Sequence, residues 1–219
     1  MDVHYEPARI LSGDLWYWHY VGKNQKKIFL IAVDIQGKGV GAALPTVAFA
    51  SLLKEFLSSQ SEKLESLQPI LAFIQEKIMT TEALTKKAAA CISYLIDTEK
   101  KTFEYSNAGM EEVVTFVHDS KIRILPCLSS AFGFEEDPVP TQLYSYELGD
   151  RLLLSSDGLK DTVNPDGIRF GESNLNELIH TALAKPIDAV LSTILEPVQK
   201  YQATAEQTDD RTIMLIEFI

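Results

Sequence analysis

Apolar and polar residues alternate along the chain with periods that predict strands first and helices next. The stretches 10–20 and 27–34 read as strands, joined by the turn-like letters GKNQ. From Ala43 to Leu57 apolar residues recur three and four positions apart, which predicts a helix, and 67–78 repeats that spacing. We expect Pro45 in the first turn of its helix, where an N–H group has no intrahelical partner.

The middle of the chain returns to short apolar runs of strand type. Turns between these runs are too short for crossover helices, so the pairing should be mostly antiparallel. Two helices are expected next at 174–184, capped by Ser173, and at 187–200, disturbed at Pro197, before a last strand over 211–218. The predicted middle strands are 88–96, 102–106, 113–117, 121–125, 141–148 and 151–155.

This order of elements is not the regular alternation of a doubly wound parallel sheet. It predicts an α+β fold, an αββα sandwich of two mainly antiparallel sheets flanked by helix pairs. The chain has 219 residues, enough for one substantial core, and neither an internal repeat nor a linker-like segment is apparent. We therefore expect a single domain over residues 1–219.

Composition excludes several classes of partner. The formal net charge is −11 and no basic patch is visible in the sequence, so neither a nucleic acid nor an anionic membrane surface is expected to bind. Apolar runs are shorter than a bilayer span and the first residues do not resemble a signal peptide, which predicts a cytoplasmic protein without direct membrane insertion. Cys91 and Cys127 lack CxxC spacing and read as unpaired thiols.

The letters IAVDIQGKGVGAAL pose the main chemical question, because an apolar strand ends in Asp34 and a glycine-rich turn follows. Gly37, Gly39 and Ala42 satisfy the dinucleotide pattern G-x-G-x-x-A. That motif requires a further strand with an acidic end about 20 residues on, whereas 51–80 reads as helix. A Walker loop would need Ser or Thr after its lysine. We therefore favour a metal over a nucleotide at this turn.

Further carboxylates are predicted at the ends of strands. Asp157 ends a buried run within LLLSSDGL, Asp209 and Asp210 precede the final strand, and Asp14 lies in the early strand predicted over 10–20. Together with Asp34 they supply hard oxygen donors, which select Mg²⁺ or Mn²⁺ over zinc or copper. The histidines show no metal-binding spacing.

Several longer motifs, in this order and spacing, resemble the PPM metal-dependent protein serine/threonine phosphatases, in their bacterial sporulation stage II protein E branch. The resemblance runs from about residue 5 to residue 218. The motifs are YEPARILSGDLWYW, AVDIQGKGVGAAL, YSNAGMEE, ELGDRLLLSSDGLKDTVNPDGIRFGE and DDRTIMLI.

The resemblance implies a two-metal centre at one edge of the sheets, holding two Mn²⁺ or Mg²⁺ ions. By position, Asp34 would bridge both ions and Ile35 would add its backbone carbonyl. Asp157 and Asp209 resemble the remaining direct ligands, with Asp210 as a secondary candidate. Hydroxide held between the metals would then hydrolyse the phosphoester without a covalent phosphoenzyme.

The resemblance also implies a substrate class and a cellular setting. The expected substrate is a phosphoserine or phosphothreonine on a bacterial regulatory protein, typically an anti-anti-sigma factor in a partner-switching pathway that regulates a sigma factor. Related proteins often carry an upstream sensor segment, so the chain could be a piece of a larger protein. A homodimer is also compatible with the sequence.

Some positions depart from the family pattern. Tyr17 stands where a second aspartate is expected after Asp14, which should weaken the supporting role of Asp14 near the metals. Met110 replaces a common histidine. Arg9 does not match the position of a phosphate-binding arginine, and Lys38 is the alternative residue for that role. These departures motivate an alternative, a catalytically degenerate phosphatase fold acting as a binding or regulatory module.

Overall fold

A computed structural model gives the backbone and side chains of most of the chain. The described residues are 2–6, 13–37, 39–85, 87–110, 113–118, 121–134 and 137–219. The expected strand start at residues 10–12, together with Arg9 and Lys38, lies outside them. Contacts divide the chain into two compact units, each built from separate segments. The first unit comprises Met1–Ile10, Glu111–Leu125 and Glu147–Ile219, and the second comprises Leu11–Met110 and Pro126–Tyr146.

The described residues form strands and helices in the following order along the chain. The strands are β1 Asp2–Glu6, β2 Asp14–Val21, β3 Lys27–Ile35, β4 Ala89–Asp97, β5 Thr102–Ala108, β6 Val113–His118, β7 Lys121–Ile124, β8 Gln142–Ser145, β9 Arg151–Ser155 and β10 Arg211–Glu217. The α-helices are α1 Val40–Gln60, α2 Gln68–Thr80, α3 Asp157–Lys160, α4 Glu172–Leu183 and α5 Ile187–Gln202. Single 3₁₀ turns occupy Lys23–Gln25 and Ser61–Lys63.

The first unit is a five-stranded antiparallel sheet in the order β1-β10-β9-β6-β7, with α4 and α5 on one of its faces. Alternate residues of β9 and β10, including Leu153, Ile213 and Leu215, contact Ile179 of α4 and Ile194 of α5 in one buried cluster. Both strands are buried along nearly their whole length, and the alternation of residues within this cluster shows which side chains face the helices.

The second unit has the same plan, with strand order β2-β3-β4-β5-β8 and antiparallel pairing throughout. Ile31 and Val33 of β3 and Leu95 of β4 share a buried cluster with Phe49 of α1 and Ile74 of α2. Odd-numbered residues of β3 therefore face the helices, and Asp34 lies on the opposite face.

The α+β class and the two mainly antiparallel sheets with helix pairs are confirmed. The expectation of one domain over 1–219 stays a prediction. Two elements were not anticipated, β1 at the amino terminus and the four-residue helix α3. The strand expected over 141–148 is shorter, Gln142–Ser145.

Several helix boundaries were wrong. Helix α1 begins at Val40, so Pro45 lies inside the helix rather than in its first turn. Pro45 cannot donate to the Gly41 carbonyl, and the Lys87 ammonium group donates to that carbonyl instead, at 3.1 Å. Ser173 lies within α4, whose N-cap is Gly171. Helix α5 continues through Pro197 without a break.

One helical stretch among the described residues, Val40–Lys63, is long and apolar enough to cross a membrane by those two criteria alone. Of its most apolar 18-residue window, 39% is buried inside the protein. The face that carries Phe49, Leu53 and Leu57 belongs to the core of the second unit. The core helix of a water-soluble protein passes the same test, so this finding is weak evidence for a span.

Candidate metal-binding site

The first unit brings Asp157 and Asp209 to one edge of its sheet. Strands β9 and β10 are antiparallel neighbours, with Ser155 opposite Ile213. Asp157 comes just after the end of β9 as the first residue of α3, and Asp209 comes just before the start of β10. The end of one strand and the start of its antiparallel neighbour meet at the same edge.

The electrostatics of Asp157 show that these carboxylates repel each other. Partial burial raises the pKa of the Asp157 carboxyl above its ordinary value, and the negative charges of Asp209 and Asp161 raise it further. The Lys160 charge and the Gly158 N–H lower this pKa, without reversing the shift. A half-buried pair of like charges is the environment that a divalent cation relieves.

Close packing holds α3 against the segment that carries Asp209 and Asp210. The Ser156 hydroxyl donates to the Asp210 carbonyl at 3.2 Å and accepts from the Thr212 N–H at 2.8 Å, while the Ser156 N–H donates to the Thr212 carbonyl at 2.8 Å. A Cβ atom added to Gly158 would overlap the Asp210 carbonyl oxygen. Only glycine therefore permits this approach.

Asp210, the secondary candidate, contacts its neighbour through the backbone. Its N–H donates to Oδ1 of Asp209 at 3.0 Å, which orients the Asp209 carboxylate. Both side chains are partly exposed.

The second unit places Asp14 and Asp34 at one edge of its own sheet. They are directly opposite each other in the β2–β3 pair. Like charges in opposite positions of an antiparallel pair destabilise the sheet. The Ile35 carbonyl lies beside Gly13, where an added Cβ would come within 2.8 Å of its oxygen. Asp34 itself is exposed, as a metal ligand at a sheet edge would be.

The turn after β3 is stabilised by a glycine and a lysine. Gly39, the N-cap of α1, has φ +59°, a left-handed conformation that favours glycine. Lys87 donates to the carbonyls of Gln36 at 3.2 Å and Gly41 at 3.1 Å, and so holds the turn to the start of α1.

The two departures from the family motifs occupy core positions. Tyr17 packs against the helix-covered core of the second unit, on the face of β2 opposite to Asp14. Met110 is 5% exposed. The Asn107 side-chain amide accepts from the Met110 N–H and donates to the Met110 carbonyl, both at 3.0 Å. These hydrogen bonds, rather than a histidine, fix the middle loop.

Comparison with known proteins places this arrangement in a family. The family model described as "Stage II sporulation protein E (SpoIIE)" matches residues 24–219. The chain belongs to this family. Among curated proteins, Protein IcfG of Synechocystis sp. is 23% identical over 239 residues, which cover 99% of this chain and 37% of IcfG. The chain thus spans little more than a third of the length of that relative.

Solved structures show the same fold. The SiaA-PP2C domain of Pseudomonas aeruginosa has a TM-score of 0.83 at 16% identity, covering 100% of this chain and 85% of that one. The RsbU and RsbW domains of Rv1364c from Mycobacterium tuberculosis give 0.77 at 20% identity, covering 99% and 59%. The fold of this chain is therefore the PP2C-type phosphatase fold of the SpoIIE and RsbU kind.

Two further structural neighbours were solved with metal ions. The catalytic domain of the serine/threonine phosphatase PstP contains two manganese ions, with a TM-score of 0.67, 15% identity and coverage of 99% and 96%. RsbX was solved with magnesium, also with a TM-score of 0.67, at 19% identity and coverage of 97% and 92%. Mn²⁺ and Mg²⁺ are the cations expected for oxygen donors.

The structure thus pairs the predicted site residues within each unit, Asp157 with Asp209 and Asp14 with Asp34. Within the described ranges, no group of three or more His, Cys, Asp or Glu side chains is placed to hold a metal ion. The donor type, together with the repulsion between Asp157 and Asp209, fits a divalent cation. The complete ligand set of Asp34, Ile35, Asp157 and Asp209 stays a prediction.

Sequence reasoning missed the residues that support these carboxylates. Ser156 and Gly158 flank Asp157 in the letters SSDG, but their close contacts with the segment 210–212 depend on tertiary structure. Lys87 is 46 residues from the Gly41 carbonyl that it contacts, and no local pattern could have indicated that contact.

Proposed function

We propose that this chain is a metal-dependent protein phosphatase that hydrolyses phosphoserine or phosphothreonine on a bacterial regulatory protein. The observation that carries the proposal is the Asp157–Asp209 pair at the edge of a PP2C-type sheet, where partial burial and then the Asp209 charge raise the pKa of Asp157. A binding module would gain no stability from two repelling carboxylates, whereas a cation site requires them.

The chain's own residues have separate tasks in this proposal. Asp34, the Ile35 carbonyl, Asp157 and Asp209 would hold the cations. Asp14 would support Asp34 from the neighbouring strand. When bound, two Mn²⁺ or Mg²⁺ ions would neutralise the phosphate and lower the pKa of water, so that hydroxide is available near neutral pH.

The substrate proposed is an anti-anti-sigma factor in a partner-switching pathway. Support comes from the similarity to a structure that joins an RsbU domain to an RsbW domain, and from the family match. A cytoplasmic location would suit such a substrate. An upstream sensor segment or a homodimer would be the means of regulation. The greater length of IcfG is the support for an additional segment.

Hydrolysis of p-nitrophenyl phosphate, and of a serine-phosphorylated anti-anti-sigma protein, tests the activity. We expect turnover with Mn²⁺, loss of turnover with EDTA, and a fall of at least about 100-fold in Asp34→Asn. Asp166→Asn, at an exposed turn position of the first unit, is the matched control and should retain the wild-type rate.

The alternative function, a degenerate phosphatase fold that only binds its partner, predicts a different outcome. A folded wild-type protein with no manganese-dependent turnover on either substrate, and with no difference from Asp34→Asn, would support it. The buried Met110 in place of the usual histidine is the observation that keeps this alternative open.

A further inference from the structure

The residues around Asp209 and Asp210 are tied to the end of the first strand. Glu6, the last residue of β1, is the direct partner of Arg211, the first residue of β10. Asp209 and Asp210 therefore lie immediately outside the region where β1 and β10 pair. Their position depends on what anchors the chain at that point.

Gln207 supplies one such anchor with a single side-chain nitrogen. Its Nε2 donates to the Glu6 carbonyl at 3.0 Å and to the Asp209 carbonyl at 2.8 Å. A primary amide has two hydrogens, so these two contacts use its full donor capacity. Gln207 is separated from Glu6 by 201 residues in sequence, and the contact connects the first and last segments of the first unit.

Arg211 supplies the second anchor on the other side of the aspartates. Its side chain is 2% exposed, with Nη1 3.5 Å from Oε2 of Glu6 and Nη2 donating to Oε1 of Gln202 at 2.8 Å. Its Nε has no hydrogen-bond partner among the described residues. A buried guanidinium with an unfilled donor lowers stability, so a gain in folding free energy does not explain its position beside the aspartates.

Asp209 is held through both its backbone and its side chain. Gln207 fixes the Asp209 carbonyl, and the Asp210 N–H donates to Oδ1 of Asp209. Rotation of the side chain is thereby restricted before any ligand arrives. A preorganised ligand binds a cation more tightly because less ordering is needed on binding.

We propose that Gln207 is a positioning residue that sets the orientation of the Asp209 carboxylate for a divalent cation. Glu6 and Arg211 assist it by anchoring the same segment. This inference rests on the proposed function, since it assumes that Asp209 is a ligand. Gln207 acts through Asp209 and need not touch substrate. Loss of its two donors should weaken cation binding more than it weakens the fold, because Gln207 is only partly buried.

Gln207→Met tests the inference, since methionine keeps the length of the side chain and removes both donors. Gln68→Met is the matched control, because Gln68 also donates its amide to a backbone carbonyl, that of Val139, at 2.9 Å in the second unit. Calorimetric titration of the EDTA-treated chain with MnCl₂ gives the affinity. Thermal unfolding in EDTA gives the stability of the metal-free proteins.

We expect the dissociation constant for Mn²⁺ to rise about 10-fold or more in Gln207→Met, as for other residues that orient a metal ligand, and to stay unchanged in Gln68→Met. The melting temperatures without metal should be similar in the two variants. Saturating Mn²⁺ should restore most of the phosphatase rate of Gln207→Met.

Each other outcome has a definite meaning. If the wild type binds Mn²⁺ and Gln207→Met binds it equally well, the positioning role is refuted while the proposed function stands. If the wild type does not bind Mn²⁺, the proposed function and the inference both fail. If Gln207→Met does not fold, Gln207→Asn decides, because its shorter amide cannot reach both carbonyls, and unchanged affinity there also refutes the role.

Discussion

Substituting alanine for Gly158 should damage both the fold and the candidate site, for a reason visible in the packing of α3. A Cβ at this position would overlap the Asp210 carbonyl oxygen and approach its carbonyl carbon to 2.8 Å. The obstacle is backbone, which cannot rotate away as a flexible side chain could. The segment carrying Asp209 and Asp210 must therefore retreat, or α3 must shift.

The expected change in the free energy of unfolding follows from comparing two opposed effects. Alanine favours a helix over glycine by about 1 kcal/mol, whereas overpacking of a tight interior contact costs roughly 1–3 kcal/mol. In a helix as short as α3 the clash should dominate, and we expect a net loss of about 1–2 kcal/mol in the free energy of unfolding. A shift on the order of 1 Å between Asp157 and Asp209 should also lower phosphatase turnover about 100-fold.

Gly41→Ala is the control, for which we expect a change of opposite sign in the free energy of unfolding. Gly41 lies in α1 with open space around its Cβ position and without a left-handed φ. Its replacement should stabilise the fold by about 0.5–1 kcal/mol. Urea unfolding in EDTA compares the two variants, and turnover with Mn²⁺ is measured for Gly158→Ala. Should Gly158→Ala be as stable and as active as the wild type, the close contact between α3 and Asp210 is wrong.

Three further predictions concern other charged residues. Asp157→Asn should remove Mn²⁺ binding and should stabilise the metal-free protein near pH 8. The folded state raises the pKa of Asp157, so the free energy of unfolding of the wild type should fall as pH rises from the unfolded-state pKa of about 4 through the folded-state pKa. Urea unfolding in EDTA at about pH 4 and about pH 8 tests the sign. Burial raises the pKa of Asp97, but the Lys100 N–H and nearby lysine charges outweigh it and lower that pKa. Its stabilising contribution should be present above about pH 4 and lost on acidification, so the stability gap between wild type and Asp97→Asn should close as pH falls. Lys87→Met should cost about 1 kcal/mol in thermal unfolding, since the Gly41 carbonyl loses its donor.

Sequence patterns predicted most of the fold because its central strands are dense apolar runs that are buried along nearly their whole length. Strand β3 alternates between residues that contact the helices and residues on its other face, and tight turns exclude parallel connections. Strand β1 was missed because DVHYE carries few apolar residues and is partly exposed. The position of Pro45 inside α1 was missed because Lys87, far away in sequence, replaces the lost hydrogen bond.

The site was predictable as far as local signals reach. Aspartates at the ends of predicted strands could be expected to meet once antiparallel pairing was assumed, and the structure pairs Asp157 with Asp209 and Asp14 with Asp34. The supporting contacts depend on tertiary structure. Gln207 reaches Glu6 across 201 positions, and no local sequence pattern could have indicated that contact.

The features that lower stability in the first unit are concentrated where β9 ends and β10 begins. Two carboxylates repel each other there, and Arg211 is buried with an unfilled donor, while the neighbouring core of Leu153, Ile213 and Leu215 is apolar. A sequence selected for stability alone would replace such groups with apolar residues. Local violations of the folding rules that cluster at one strand edge are typical of a functional site. The cost to the fold is thus an independent reason, beside family membership, to propose Asp157 and Asp209 as metal ligands.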